Sequence, residues 1–317
     1  MTPLDCSTVI VSYNTLNLTR TAIETALSAA GTLAHEVIVV DNASPDGSAA
    51  HLAEAFADDS RVHVVARTNN AGFAVANNVG AALARGRVLY FLNSDTVSHG
   101  DAIVALVRFL DATPGAGAVG PHVLNPDGTD QASFARFDTA WTLLRHYFPI
   151  AGHSSGRARP ARATPVEVVI GSALALTREA FDRTGGWDEH YFMYSEELEL
   201  CWQLRAAGYT SYYVPDAQIT HFGGQSSLDR YTEQQIMTAE SGLAFLRRHA
   251  PAHVLWANRV GGALGFAARD VAFAALARLQ PAKAADYRRR GDAARALWKW
   301  FAFSYRAPAS HAQHASV

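Results

Sequence analysis

A short polar segment, Asn93-Ser94-Asp95, directly follows an apolar run at residues 88–92. The run predicts a buried strand, so the polar residues should lie where that strand reaches the surface. A carboxylate in this position, here on Asp95, can bind a hard divalent cation, which in turn can neutralise a diphosphate. The alternative is that Asp95 caps the turn or helix that follows, the more common role for an isolated aspartate.

Two further segments carry groups that can bind a nucleotide. Asp41 ends an apolar run at residues 36–40, and its carboxylate can accept a hydrogen bond from the imide N–H of a pyrimidine base. Asn69 and Asn70 precede a predicted helix; their amides can bond a ribose or a base, and Gly72 allows close backbone approach where phosphate is favoured. The alternatives are turn formation for Asp41 and an N-cap cluster for the asparagines.

Adjacent carboxylates, Glu196 and Glu197, open a predicted helix in the second half of the chain. Mutual repulsion and an apolar setting can raise the pKa of one of them, as a general base requires, whereas the helix dipole lowers it. A capping turn is the alternative.

His221 follows another predicted strand and can complete a metal shell or bond a phosphate, although a single histidine is more often structural.

Alternating strands and helices must position these groups. The pattern predicts strands at 7–13, 36–40, 62–65 and 88–92, and helices at about 18–30, 48–57, 72–85 and 101–110. Because most of these strands are apolar throughout, we predict an α/β fold with a parallel sheet covered on both faces. Ligands of such sheets bind outside the carboxyl ends of the strands, where the segments at 12–14, 41–44 and 93–95 should meet.

The second half has a different pattern. Residues 125–128 predict a hairpin turn, 134–165 an irregular segment, and 166–177 a strand interrupted at Gly171. A helix is expected at 195–207, with Ser195 as its N-cap, and a short strand at 210–214. Glycines 223 and 224 predict a flexible loop that closes over a ligand.

The tail from about residue 229 is predicted to be helical and mixes basic with aromatic residues. This composition favours a helix lying in a membrane interface; a helical cap on the domain and a dimer contact are the alternatives, and the oligomeric state stays open. No stretch has 18 or more uncharged apolar residues, so no membrane span is expected.

Composition excludes several classes of protein. The chain has 317 residues, 49% of them hydrophobic, and can therefore bury a sizeable core. A net charge of -2 argues against a nucleic-acid partner. Two cysteines outside any CxxC motif argue against a disulfide framework or a zinc–thiolate site. With no secretory signal visible in residues 1–5, a cytoplasmic location is expected.

Seven segments in order resemble the motifs of the inverting family 2 glycosyltransferases, most of all the bacterial rhamnosyltransferases of O-antigen and cell-wall polysaccharide assembly. They are Val-Ser-Tyr-Asn at 11–14, Val-Val-Asp-Asn-Ala-Ser at 39–44, Asn-Asn-Ala-Gly-Phe at 69–73, Leu-Asn-Ser-Asp at 92–95, Gly-Gly-Trp-Asp at 185–188, Met-Tyr-Ser-Glu-Glu at 193–197 and His-Phe-Gly-Gly at 221–224. Each motif is modest, but their order over about residues 6–228 makes the resemblance specific.

The resemblance implies a GT-A fold, in which a Rossmann-like nucleotide-binding half is fused to an acceptor-binding half. The glycosyltransferase domain would span 1–228, with the nucleotide-sugar half at about 1–120 and the acceptor half at 121–228, and 229–317 would form a helical extension.

The same resemblance implies roles for individual residues. Asp95 and His221 would hold Mg²⁺ or Mn²⁺, and Glu197 would be the catalytic base. The nucleotide-sugar would be bound by Ser12, Tyr13, Asn14, Asp41, Asn69, Asn70, Gly72, Asn93 and Ser94, and the acceptor by Gly171, Trp187 and Asp188.

Two residues depart from the family pattern. Asn93 stands where the DxD motif has its first aspartate, which leaves the metal mainly to Asp95. Glu197 stands where the base is often an aspartate, and Glu196 stays open as an alternative base.

The resemblance implies dTDP-rhamnose as the donor, with a UDP-hexose or UDP-N-acetylhexosamine as the alternative. The expected acceptor is a glycan or a polyprenyl-diphosphate-linked sugar, at the inner face of the cytoplasmic membrane.

The sequence disfavours three other functions. A nucleotidylyltransferase would show a glycine-rich loop with Arg and Lys near residues 12–20, and a short-chain dehydrogenase would show GxGxxG after the first strand; neither pattern is present. An inactive scaffold with a transferase fold is disfavoured because Asp41, Asp95, Glu197 and His221 are all intact.

Overall fold

The computed structural model describes residues 4–148, 159–223 and 231–305. Its strands are β1 (Leu4–Ser12), β2 (His35–Asp41), β3 (Val62–Ala66), β4 (Gly86–Asn93), β5 (Thr96–His99), β6 (Ala116–Leu124), β7 (Phe134–Ala135), β8 (Thr164–Val166), β9 (Val168–Val169), β10 (Ala173–Thr177) and β11 (Thr210–His221). Its α-helices are α1 (Leu16–Ala29), α2 (Ser48–Ala55), α3 (Phe73–Leu83), α4 (Ala102–Ala112), α5 (Ala140–Tyr147), α6 (Arg178–Thr184), α7 (Glu196–Ala206), α8 (Tyr231–His249), α9 (Ala252–Leu279) and α10 (Ala284–Lys299).

A mixed sheet in the order β3-β2-β1-β4-β10-β6-β11-β5 organises the domain. The first four strands are parallel, as predicted, whereas β10 runs antiparallel between β4 and β6. All seven residues of β2 are buried, because helices cover the sheet on both faces. One core cluster lies between the sheet and α1 and α4, and a second lies between the sheet and α3, α6 and α7. The predicted α/β class is confirmed.

Strand register brings the predicted polar segments to one edge. Ser12 at the end of β1 pairs with Asp41 at the end of β2, and Val11 pairs with Asn93 at the end of β4. Because these strands are parallel, their carboxyl ends open onto the same side of the sheet. The coincidence of polar strand ends inferred from the sequence is therefore present in the structure.

Three elements differ from the sequence-based expectation. Residues 96–99, for which no element was predicted, form β5, which pairs antiparallel with the end of β11. The strand expected at 210–214 extends to His221. The segment expected to be irregular contains α5, which begins with a reciprocal capping box between Thr139 and Thr142. A threonine at the third helical position is weaker evidence for a capping box than the usual Glu or Gln, so this helix could not be predicted from its capping residues.

The helical tail is partly integrated into the domain. Phe245 of α8 belongs to the second core cluster, and α8 to α10 build a third cluster together with α5. Trp300 and Phe301, part of the aromatic run expected in a membrane interface, are buried in that third cluster. These two residues agree with the alternative of a helical cap, whereas Phe303 of the same run is 77% exposed. The expected domain boundary at residue 228 lies outside the described residues.

α9 is the one helix in the described part of the chain that is long and apolar enough to cross a membrane by length and composition. This differs from the expectation of no span, because Arg259 and Arg269 interrupt the uncharged run without removing its mean apolar character. Its large apolar side chains Trp256, Leu264, Val271 and Leu279 are between 59% and 76% exposed.

Candidate active site

A cleft of about 350 Å³ opens at the carboxyl ends of β1, β2 and β4 and is closed on its far side by the start of α7. The residues predicted from sequence that line it are Tyr13, Asn70, Asn93, Ser94, Asp95, Gly171, Glu196, Glu197 and His221. Residues that the sequence reasoning did not select and that also line it include Thr15, Asn42, Tyr194 and Gln234. The cleft thus gathers both predicted carboxylate sites and the histidine.

Pairing of β5 with β11 brings Asp95 and His221 together. Thr96 pairs with His221, and the backbone N–H of Phe222 donates to the carbonyl of Asp95. As a result, Nε2 of His221 lies 3.2 Å from Oδ1 of Asp95, although the residues are far apart in sequence. Asn93 is also close, with its Nδ2 3.4 Å from the same nitrogen. The short strand β5, missed from the sequence, is what forms this cluster.

Gln131 fixes the orientation of the His221 ring. Its Oε1 lies 2.7 Å from Nδ1 of His221, while its Nε2 donates to the backbone carbonyl of His221 and to Oδ1 of Asn125. Since the amide nitrogen is occupied as a donor, Oε1 is assigned as the acceptor and Nδ1 of His221 as the protonated nitrogen. The Nε2 lone pair is then directed toward Asp95, the arrangement that a metal-binding imidazole requires.

The donor set around Asp95 fits a hard divalent cation. It offers one carboxylate and one imidazole nitrogen; Asn93 lies beside them with its Nδ2 near His221, and its buried Oδ1 has no hydrogen-bond partner among the described residues. No cluster of three His, Cys, Asp or Glu side chains occurs in the part of the chain that the structure describes. The protein alone therefore supplies an incomplete shell, with positions left for oxygens of a substrate and water, as is usual for Mg²⁺ bound together with a phosphate.

Glu196 and Glu197 form the first turn of α7. The two residues before them, Tyr194 and Ser195, both have positive φ angles of 69° and 67°, a left-handed conformation that is costly for non-glycine residues. Ser195 holds the predicted N-cap position, but its side chain makes no capping hydrogen bond. The strained turn directs the start of α7 into the cleft.

The environment separates the two carboxyls chemically. Burial raises the pKa of both, and the Glu197 charge raises that of Glu196 further. The backbone N–H groups of Ser195, Glu197 and Leu198 oppose this effect at Glu197 by favouring its ionised form. Because the Glu197 charge raises the pKa of Glu196 further, we expect Glu197 to be the first of the two to ionise. Oε2 of each carboxyl lacks a hydrogen-bond partner among the described residues.

Asp41 and its neighbours are tied into a turn. Oδ1 of Asp41 accepts from the Ser44 N–H at 2.9 Å, and Oδ2 accepts from the Ser44 hydroxyl at 2.7 Å. Asn14, with φ 54°, donates its N–H to the same hydroxyl, and the buried Ser12 hydroxyl contacts that of Thr19. Ser12, Asn14 and Asp41 thus have structural roles at the edge of the cleft without lining it. Asn42, beside Asp41, does line it, and its buried Oδ1 has no partner among the described residues.

The 69–73 segment closes one side of the cleft. Oδ1 of Asn70 accepts from Nδ2 of Asn42 at 2.7 Å and from the Gly72 N–H at 3.1 Å, whereas Asn69 is exposed outside the cleft. Gly72 has φ 92°, and a Cβ there would lie 2.4 Å from the carbonyl oxygen of Phe192. That carbonyl also accepts the Phe73 N–H. The close approach that Gly72 permits is made by Phe192, and a phosphate at this helix end stays a prediction.

The three residues expected at the acceptor site are placed differently from one another. Gly171 lies against Glu197, whose side chain would be 3.4 Å from a Cβ at that position. Trp187 is only 1% exposed and packs edge-on against Phe91 in the core, so it does not line the cleft. Asp188 pairs with Arg248 of α8; burial opposes its ionisation, but the His190 N–H and Arg248 lower its pKa overall. Of the three, the structure places only Gly171 at the candidate base.

α8 supports the loop that carries the candidate base. Nε2 of Gln234 donates to the Tyr194 hydroxyl at 2.9 Å, and the Ser241 hydroxyl donates to the carbonyl of Met193 at 2.7 Å. Buried Glu199 binds His249 at 2.8 Å. These contacts join residues distant in the chain, and no local pattern could have identified them.

Comparison with known proteins identifies a family. The model described as Glycosyl transferase family 2 matches residues 7–185. The N-acetylglucosaminyl-diphospho-decaprenol L-rhamnosyltransferase of Mycobacterium tuberculosis is 33% identical over 144 residues, which are 43% of this chain and 47% of that protein. The dTDP-rhamnosyl transferase RfbF of Shigella flexneri is 26% identical over 230 residues, 69% of this chain and 70% of that protein. The chain spans less than half the length of the first curated relatives that it matches.

Solved structures agree in fold. The mannosyltransferase PcManGT of Pyrobaculum calidifontis, solved with GDP-Man and Mn²⁺, aligns with a TM-score of 0.57 at 20% identity, over 95% of this chain and 88% of that one. At this identity the likeness establishes the fold alone. Together with the family match it confirms the GT-A fold expected from the sequence.

Proposed function

The chain belongs to glycosyl transferase family 2, and on this premise we propose that it transfers L-rhamnose from dTDP-L-rhamnose to a hydroxyl of a glycan or lipid-linked acceptor, in a metal-dependent reaction that inverts the anomeric centre. The observation that carries the proposal is that Glu197 and the Asp95–His221 pair line the same cleft. A group that removes a proton and a group that holds a diphosphate are the two requirements of this transfer.

The donor is proposed to lie along the carboxyl ends of β1, β2 and β4. Asn42 and Asn70 carry amides in the cleft that suit the base or ribose, and Asp41 holds the turn beside them. Asp95 and His221, with Oδ1 of Asn93, would hold Mg²⁺ or Mn²⁺. A divalent cation in that position would stabilise the negative charge that develops on the departing nucleoside diphosphate.

Glu197 is proposed to accept the proton of the acceptor hydroxyl as its oxygen attacks the anomeric carbon. The bond from that carbon to the nucleoside diphosphate breaks on the opposite face, so a single displacement inverts the configuration. Glu196 is proposed to stay protonated, so that no second negative charge lies near the attacking oxygen.

Rhamnose is supported by the names of relatives in Mycobacterium tuberculosis and Shigella flexneri. We expect a donor screen that measures nucleoside diphosphate release to give a kcat/KM for dTDP-L-rhamnose at least about tenfold above those for UDP-glucose, UDP-N-acetylglucosamine and GDP-mannose. A polyprenyl-diphosphate-linked N-acetylglucosamine serves as the acceptor in every arm. Preference for a UDP-sugar would overturn the rhamnose assignment but keep the transferase.

An inactive scaffold is tested separately by calorimetric titration with the same sugar nucleotides, with and without Mn²⁺. A transferase is expected to bind at least one of them and to bind it more tightly with the metal. If none binds, the scaffold alternative is favoured.

Peripheral membrane association is proposed for the exposed face of α9. We expect the full chain to float with vesicles of phosphatidylethanolamine and phosphatidylglycerol, and the combined variant Trp256→Gln, Leu264→Gln, Val271→Gln, Leu279→Gln to lose most of this binding. Leu83→Gln is the control, since Leu83 is also exposed, at 52%, but lies on α3. Equal flotation of wild type and the combined variant would argue against a location at the inner face of the membrane.

A further inference from the structure

A second cavity, of about 400 Å³, lies between α5, α7, α8, α9 and α10. Most of its wall is apolar and comes from helices of the C-terminal region and from α5. Its principal apolar side chains are Leu143, Leu198, Leu243, Leu246, Phe266 and Phe301. A volume of this size is typical of pockets that hold small ligands.

Glu197 stands between this cavity and the cleft. Tyr194 and Glu197 line both spaces, whereas Glu196 lines only the cleft. The candidate base can therefore be reached from the metal-binding side and from the apolar side. In a displacement reaction the attacking hydroxyl and the departing group occupy opposite faces of the reacting carbon. The apolar cavity would let the acceptor reach the base from a side different from that of the donor.

The walls of the cavity are closely packed, so the space is not the result of loose helix packing. A Cβ at Gly261 of α9 would lie 2.8 Å from the Tyr147 ring, and one at Gly262 would lie 2.6 Å from the Phe301 ring. The Tyr147 hydroxyl donates to Oδ1 of Asn258 at 2.5 Å. Small residues let α9 approach these aromatic side chains, and a defined cavity is left beside them.

We propose that this cavity is the subsite for an apolar chain of the acceptor, which places the acceptor hydroxyl at Glu197. The inference rests on the proposed function, because it assigns Glu197 as the base. The ligand class follows from the lining of the space, which combines a carboxylate that accepts a hydroxyl proton with aliphatic and aromatic side chains. The occupant is an amphiphile with a sugar head and a hydrocarbon chain.

Gly242 of α8 provides a test that spares the fold. It lines the cavity, and a Cβ at this position meets nothing within 4 Å. Gly242→Leu therefore fills the space with an aliphatic side chain in a helix that tolerates it. Ala53→Leu, on the exposed face of α2, adds the same side chain far from the cavity.

The probes are octyl β-D-glucoside and methyl β-D-glucoside, which share a sugar and differ in the alkyl chain. Calorimetry below the micelle concentration is expected to show at least about tenfold tighter binding of the octyl compound, because burial of methylene groups is favourable. Gly242→Leu should abolish that difference, and Ala53→Leu should retain it. An unchanged preference in Gly242→Leu, or no preference in the wild type, overturns the proposal.

Titration of the same variants with dTDP-L-rhamnose and Mn²⁺ separates this inference from the proposed function. Gly242→Leu with unchanged donor binding and a melting temperature no lower than wild type shows that only the apolar subsite has been lost. Failure of the wild type to bind any sugar nucleotide would refute the proposed function, whatever the alkyl glucosides do.

Discussion

Glu197→Gln is expected to lower kcat by about 100-fold or more, because the amide is nearly isosteric with the carboxylate but cannot accept the acceptor proton. Binding of the sugar nucleotide should change little, since Glu197 acts on the acceptor side. Steady-state release of nucleoside diphosphate gives kcat, and calorimetric titration of the donor gives its affinity. A fall in kcat with unchanged donor affinity is the signature of a lost base.

Glu196→Gln is the matched control. Burial and the Glu197 charge raise the pKa of its carboxyl, so we expect the amide to replace a neutral group and kcat to stay within about tenfold of wild type. If Glu197→Gln retains near-native kcat and Glu196→Gln does not, Glu196 is the base and the assignment is reversed.

The raised pKa values predict how rate and stability depend on pH. Because the base must be ionised, the acidic limb of kcat/KM should lie above the ordinary glutamate pKa of 4.5. Since the folded state holds the Glu196 proton more tightly than the unfolded chain, stability from this group is lost as pH rises from the unfolded pKa toward the folded one. Glu196→Gln should therefore raise the melting temperature more at pH 8 than at pH 4.

Asp95→Ala is expected to lower turnover by about 100-fold or more and to weaken Mn²⁺ binding in the presence of dTDP, because it removes the only carboxylate of the donor set around His221. EDTA should abolish wild-type activity, and Mg²⁺ or Mn²⁺ should restore it. Asp58→Asn, at an exposed position, is the control for loss of a surface charge and should behave as wild type.

Substitution of Gln131 tests the same metal site, with a smaller expected effect. Gln131→Leu leaves Asp95 and His221 in the sequence but removes the bond that orients the ring, so Mn²⁺ affinity should fall by about 10- to 100-fold, less than for Asp95→Ala. Full activity in excess chelator would remove the metal from the mechanism. Loss of activity in Asp95→Ala without loss of Mn²⁺ binding would move the metal elsewhere.

Local sequence was sufficient for much of the fold. Apolar runs ending in Ser12, Asp41 and Asn93 predicted parallel strands, and their register placed these ends at one edge. The reason is that a buried strand shows as a short apolar run, and that apolar strands alternating with helices form a parallel sheet. The burial of Trp187 could not be predicted in this way, because a Gly-Gly-Trp-Asp motif has the same sequence whether its indole faces a ligand or the core.

The sequence by itself determined which chemical groups are present and that the β1–β4 strand ends share an edge. Only the tertiary structure decided that β5 draws His221 to Asp95, that Gln131 orients that ring, and that Glu197 and not Glu196 lines both cavities. The physical reason is that these contacts depend on strand pairing and helix packing between distant segments. Their geometry is set by the burial of the whole core, which no short stretch of sequence contains.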